Sequence, residues 1–130
     1  MIDSVAVVAE IAISPSFRIA KPHATHFVDL QGLGTRDLTR WKDRVLILAG
    51  PVSKTDGPFR LFQWQPRHTD RTQHAEPVYE WEDGEEHPEA ICTLTRGRSA
   101  GLLVLYDSPD KRRIRGTSYR ADWIAAAHLR

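Results

Sequence analysis

At 130 residues and 14.8 kDa, the chain has the length of one ordinary domain, enough to bury about two-thirds of the surface its unfolded form exposes, which excludes a stapled miniprotein. Hydrophobic residues at 41% beside charged residues at 27% exclude intrinsic disorder, and 18 basic residues against 17 acidic ones leave no overall field to gather nucleic acid or an anionic membrane. The single cysteine, Cys92, can form neither an internal disulfide nor a thiolate metal site, which fits a reducing, cytoplasmic setting.

Residues 1–14 are apolar but carry Asp3 and Glu10, lack a basic leading segment and are rich in β-branched residues, so they read as a strand over 5–13 rather than a secretory signal. No uninterrupted apolar run approaches the roughly 18 residues of a membrane-spanning helix. Short strands follow at 17–20, 26–30, 37–41, 45–49, 59–65, 78–82, 90–95, 102–106 and 114–120, separated by breakers such as Gly32-Leu-Gly34, Gly50-Pro51, Asp56-Gly57-Pro58 and Asp83-Gly84. Val45-Leu-Ile-Leu48 and Leu102-Leu-Val-Leu105 are continuous apolar runs, which predict strands buried on both faces. Phe59-Arg-Leu-Phe-Gln-Trp-Gln65 and Val78-Tyr-Glu-Trp-Glu82 alternate or nearly so, as outer strands do. Only 121–129 predicts a helix, one too short to persist unless it packs on the rest.

Charge is unevenly placed. Glu76, Glu80, Glu82, Asp83, Glu85, Glu86 and Glu89 form a run without Lys or Arg, and Lys111, Arg112, Arg113, Arg115 and Arg120 form one without acids. The two runs read as solvated faces that lie near each other and partly neutralise. The basic run lacks the aromatic interleaving of a single-strand binder, and no nucleic-acid partner is expected.

Leu38-Thr-Arg40 before Val45-Leu-Ile-Leu-Ala-Gly-Pro51 resembles Leu94-Thr-Arg96 before Leu102-Leu-Val-Leu-Tyr-Asp-Ser-Pro109, at an offset of 56 (Leu94 against Leu38) to 57 (Leu102 against Val45) residues. Each copy is a short strand, a polar turn, an apolar strand and a Pro-containing loop, the pattern of a four-stranded propeller blade. The spacing exceeds the roughly 40 to 45 residues of a compact blade, which makes 66–88 an insertion. A propeller blade is favoured over a meandering sheet, small barrel or generic sandwich, which give similar signals.

The run His26-Phe-Val-Asp-Leu-Gln-Gly-Leu-Gly-Thr-Arg-Asp-Leu38, with Val45-Leu-Ile-Leu-Ala-Gly-Pro51, Asp56-Gly-Pro-Phe-Arg-Leu-Phe-Gln-Trp64 and Pro88-Glu-Ala-Ile91, resembles the C-terminal part of the bacterial family catalogued as domain of unknown function 3616. The resemblance implies a β-propeller-like fold and no assigned activity. Family members carry further blade-like repeats upstream, with Glu-Gly-Leu and Leu-Arg-Gly-Pro elements that have no counterpart here. The expectation is therefore an all-β chain of antiparallel four-stranded blade-like repeats, a partial propeller of about two to three blades, with a short C-terminal helix. It divides one domain, 1–130, into a partial blade at 1–35, a full blade at 36–82, a second blade at 83–120 and a helical tail at 121–130.

In such blades the loop entering the innermost strand and the loop between the second and third strands share one face. That rule gathers Arg36, Asp37, Lys54, Asp56, His87, Glu89, Asp107 and Asp110 at one mouth, where ligands commonly bind. Arg36, Asp37 and Glu89 start two equivalent innermost strands. Arg36 could hold a carboxylate or phosphate bidentately, and the carboxylates could take calcium or orient water. The plainer role is to bond each other and free backbone groups. No cofactor is expected, because the six histidines match no zinc spacing. Cys92 reads as a small buried hydrophobe, and Trp41, Trp64, Trp81 and Tyr79 as core packing.

No complete catalytic constellation is present, so the candidate ligand-binding residues Arg36, Asp37, Asp56, Glu89 and Asp107 suggest a non-catalytic module binding a ligand or protein at one loop face. Self-association or another polypeptide is expected to cover the open blade edges. The alternative is a metal-assisted hydrolase of a lactone, ester or phosphate ester using the same carboxylates, an idea that rests on fold analogy.

Overall fold

The computed structural model describes residues 5–84, 86–107 and 113–129, with backbone alone at 20–23. These residues build several sheets, nearly all of them antiparallel, and none closes on itself. In the first, β1 (Val5–Ile13) pairs with β2 (Ile19–Asp29), and the short β6 (Gln73–His74) joins β2 in parallel. The second places β3 (Gly34–Trp41), β4 (Arg44–Gly50), β5 (Arg60–Trp64) and β7 (Glu76–Glu80) side by side. The third has β9 (Ser99–Asp107) between β8 (His87–Arg96) and β12 (Asp122–Ala125). A small ribbon of β10 (Ile114–Arg115) and β11 (Ser118–Tyr119) precedes β12.

The two halves of the sequence repeat become two hairpins of the same build. Lys42 turns β3 into β4 with a left-handed φ of 57°, and Gly97 does the same between β8 and β9 at 62°. The second sheet lies between the other two, as β4 shows residue by residue. Ile47 and Ala49 pack with Ala6, Val28 and Leu30 of the first sheet's side. Leu46 and Leu48, on the opposite face, pack with Ile91, Leu102 and Val104 of the third. The continuous apolar run 45–48 is thus buried on both faces, as its pattern requires.

The equivalent run in β9 behaves differently. Leu102 and Val104 are buried, but Leu105 remains 41% exposed, because the third sheet ends the stack. Cys92 pairs with Leu103 on that outer face and is exposed, correcting its reading as a buried hydrophobe. The first sheet likewise leaves Val7, Ile11 and Ile13 in contact with solvent.

The expected C-terminal helix is not formed. Asp122–Ala125 pairs antiparallel with β9 from Val104 to Gly101, and only a 3-10 turn, Ala126–His128, follows. Nine residues cannot repay helix nucleation in isolation, whereas the open edge of β9 offers a ladder of unpaired backbone groups. Gly101 makes the pairing possible, since a Cβ there would lie 2.6 Å from the Ile124 carbonyl oxygen and overlap the Trp123 ring. The strands expected at 17–20 and 26–30 merge into β2, with Phe17 in a left-handed turn before it (φ 57°). The strand expected over 114–120 folds back on itself around Gly116 (φ 58°).

Candidate functional site

The pairing of β3 with β4 skips from Thr35–Ala49 to Asp37–Leu48, which leaves Arg36 as the extra residue of a β-bulge. The pairing of β8 with β9 skips from Pro88–Tyr106 to Ala90–Leu105, which leaves Glu89 in the same situation. Bulges turn a side chain out of its regular alternation. Here the two face each other, and Arg36 Nη1 donates to Glu89 Oε1 at 3.0 Å. Arg36 Nη2 also donates to the Pro51 carbonyl at 2.8 Å.

The pair forms one side of a cleft of about 540 Å³, to which Lys54, Asp56, His87 and Asp107 also contribute. Phe59 and His87 stack at 5.2 Å with their planes 29° apart. The Arg36 guanidinium lies over the Phe59 ring at 5.9 Å. Gly50 permits this crowding, because a Cβ there would meet the Phe59 ring at 2.5 Å and Arg36 Nε at 3.1 Å. His87 Nε2 is 3.4 Å from Asp56 Oδ1, although its geometry leaves that nitrogen without a hydrogen-bond partner among the described residues.

Of the sequence candidates, Arg36, Lys54, Asp56, His87, Glu89 and Asp107 therefore line one cleft. Asp37 does not line it. Its Oδ2 accepts the Ile91 N–H at 2.8 Å and its Oδ1 accepts the Leu38 N–H at 2.8 Å, so it staples β3 to β8. Asp110 lies outside the described residues. Among the described residues, no three His, Cys, Asp or Glu side chains gather as a metal site. The cleft offers cations, carboxylates and an aromatic wall, a lining suited to polar recognition.

A family model described as protein of unknown function (DUF3616) matches residues 8–122. The chain belongs to this family. No curated protein and no solved structure matches it. No helix of the DUF3616 chain, among the described residues, is long and apolar enough to cross a membrane.

Among the described residues, the acidic and basic runs of this DUF3616 chain are joined by Arg113. Arg113 forms a two-pronged ion pair with Glu86 and donates to Asp122 Oδ2 at 2.9 Å and to the Arg120 carbonyl at 3.0 Å. Its guanidinium stacks 3.9 Å from the Tyr106 ring centre. Hydrogen bonds from Arg113 hold the Asp122 carboxyl below its ordinary range against the opposing effect of burial. Burial pushes the Tyr106 hydroxyl far above the usual phenol range, and that hydroxyl accepts the Trp81 indole N–H at 3.1 Å.

One polar group escaped the sequence reading. His26 is 2% exposed and lies between Glu10, whose Oε2 is 3.1 Å from its Nε2, and Gln73, whose Nε2 is 3.2 Å from its Nδ1. Gln73 Oε1 accepts N–H bonds from Trp64 Nε1 at 3.1 Å and from the Arg67 backbone at 2.8 Å, which fixes Gln73 Nε2 as the donor. His26 Nδ1 must then accept, and its proton sits on Nε2, donated to Glu10. The alternation His26, Val28, Leu30 carried the signal, because it places the imidazole on the same face as two apolar core residues.

Proposed function

We propose that this DUF3616 chain is a propeller-like binding module whose cleft at Arg36 and Glu89 takes a small polar ligand bearing both charges. The observation that carries the reading is the pair of equivalent bulges, which turn Arg36 and Glu89 toward one another at the mouth of a cleft flanked by the Phe59–His87 stack. A purely structural ion pair has no need of two coincident bulges or of a glycine at position 50 that admits an aromatic ring. The Arg36–Glu89 pair is partly exposed, so a ligand carboxylate can compete for Arg36 while its ammonium meets Glu89 or Asp56. Amide spectra titrated with zwitterionic amino acids and dipeptides test this. Shifts should group at Arg36, Phe59 and His87 and vanish in Arg36→Ala; no response at these residues overturns the reading.

The three stacked sheets serve as blades in this reading. The outer faces of the first and last, with Val7, Ile11 and Ile13 on one and Leu94 and Leu105 on the other, are covered by a second copy stacked head to tail. That contact continues between chains the sheet-on-sheet packing already present within one. Sedimentation over a range of concentrations should show association, and a concentration-independent monomer counts against it.

A further inference from the structure

At the opposite end of the β3–β4 hairpin from the Arg36 cleft, a separate cleft of about 530 Å³ opens between the first and second sheets. Arg40 and Arg44, flanking the hairpin turn, line it from the second sheet, and Glu10 and His26 line it from the first. Both belong to the β3–β4 ladder through their backbones, and neither guanidinium has a hydrogen bond or ion pair with any of the described residues. Asp43 lies in the turn between them and also lines the cleft.

The wall behind this cleft is unusually expensive to build. Trp64, Gln73 and His26 are all at least nine-tenths buried, and each side-chain nitrogen and oxygen of these three has its partner. A buried polar network satisfied in this way holds its members in a single arrangement. It fixes two things that face the cleft. The imidazole Nε2–H holds the Glu10 carboxylate in place, and Gln73 clamps Arg67 by both its N–H and its carbonyl, at 2.8 and 2.9 Å. The second clamp anchors the loop that brings His68 to the cleft, 5.9 Å from the His26 ring.

We propose that this cleft is a second binding site, for a small organic anion that also carries hydroxyl or ammonium donors. Arg40, across from Val45 on the face toward the first sheet, takes the carboxylate or phosphate, and Arg44 at the rim of the cleft adds a second positive charge. Glu10, oriented by His26, accepts from the donor end. Both requirements must be met by one molecule, because the cations come from one sheet and the carboxylate from the other.

The test is an NMR titration of the whole chain, following the Trp64 indole N–H, which belongs to the buried network. The probes are glycerol 3-phosphate, malate, inorganic phosphate and glycerol. The Trp64 signal should move with glycerol 3-phosphate or with malate, whichever binds more tightly naming the anion. Inorganic phosphate should bind roughly tenfold more weakly and glycerol not at all. Arg40→Gln and Arg44→Gln should each weaken binding by about tenfold or more. Glu10→Gln should erase the preference for glycerol 3-phosphate over inorganic phosphate. Arg36→Ala should change nothing, which separates this site from the proposed cleft at the other end of the hairpin. The proposal is overturned if neither organic anion moves the Trp64 signal, if inorganic phosphate binds as well as they do, or if the Arg40→Gln chain, altered only at an exposed side chain, binds unchanged.

Discussion

The second sheet has two faces, and they are joined to their neighbours by different means. Toward the third sheet, Leu46, Leu48, Leu61 and Val78 meet Ile91, Leu102 and Val104 in a contact whose buried centre is hydrocarbon, edged by Trp41, Tyr79 and Trp81 and tied at one end by Asp37 to the Ile91 N–H and by Arg36 to Glu89. Toward the first sheet, Ile47, Phe62 and Trp64 meet Ala6, Val28 and Leu30, but His26 and Gln73 are buried among them. The apolar contact is indifferent to small changes of shape as long as volume is kept. The polar one is satisfied in a single arrangement, with each donor aimed at one acceptor. Among the described residues, the first interface has no polar side chain at its buried centre and the second has two, and the second backs the cleft at Arg40 and Arg44.

Removing volume from the apolar face should have the largest effect. Leu48→Ala deletes a fully buried side chain from the centre of the contact and should cost about 3 to 4 kcal/mol in urea unfolding. Leu48→Met, which keeps volume, should cost less than about 1.5 kcal/mol. On the polar face the same logic should fail. Gln73→Leu also keeps volume, yet it strands Trp64 Nε1, His26 Nδ1 and both backbone groups of Arg67. A loss of about 3 kcal/mol is expected, since each buried group left unpaired costs roughly 1 to 3 kcal/mol and some will reach water. If Gln73→Leu behaves like Leu48→Met, the two faces do not differ in kind.

The stacking of the second sheet between two others was legible in Val45-Leu-Ile-Leu48, because only a strand covered on both sides tolerates four apolar residues in a row. Leu102-Leu-Val-Leu105 carries the same signal and misleads. Whether a strand's second face is covered depends on what lies beyond the end of the stack, which local pattern does not record. Arg36 and Glu89 could be singled out from their place before equivalent strands, but the bulges that turn them toward each other arise from register, a property of strand pairs. The tail misled for a related reason. Ala-rich composition raises local helix propensity, and the decisive factors were a neighbouring edge strand and the missing side chain of Gly101. His26 could be placed on an inward face by alternation, while Gln73, from a two-residue strand in a polar loop, could not.

Outside both interfaces, Arg113 joins the acidic and basic segments, and its loss tests whether charge contributes as much as packing. Its side chain is 11% exposed, and Arg113→Ala removes the two-pronged pair with Glu86 and the bond to Asp122. Both carboxylates can rehydrate, so the loss should be about 2 kcal/mol, below either interface variant. A larger loss than that of Leu48→Ala would put the main cohesion of the third sheet in this cluster.

The smallest effect should come from Asp122, and its pH dependence is what identifies it. The hydrogen bond from Arg113 lowers the folded carboxyl below the ordinary value of 3.8. A depressed carboxyl contributes stability that is fully present above its unfolded value and is lost as pH falls through the folded one. Asp122 is 43% exposed, so solvent screening limits the contribution to about 1 kcal/mol or less. Asp122→Asn should therefore be slightly less stable than the parent at neutral pH, and the two should converge as the pH drops below the ordinary carboxyl range. Denaturant unfolding followed by tryptophan fluorescence at several pH values measures this difference. A gap that stays constant down to strongly acidic pH would mean that Asp122 acts through packing against Arg113 and Tyr106 rather than through its charge.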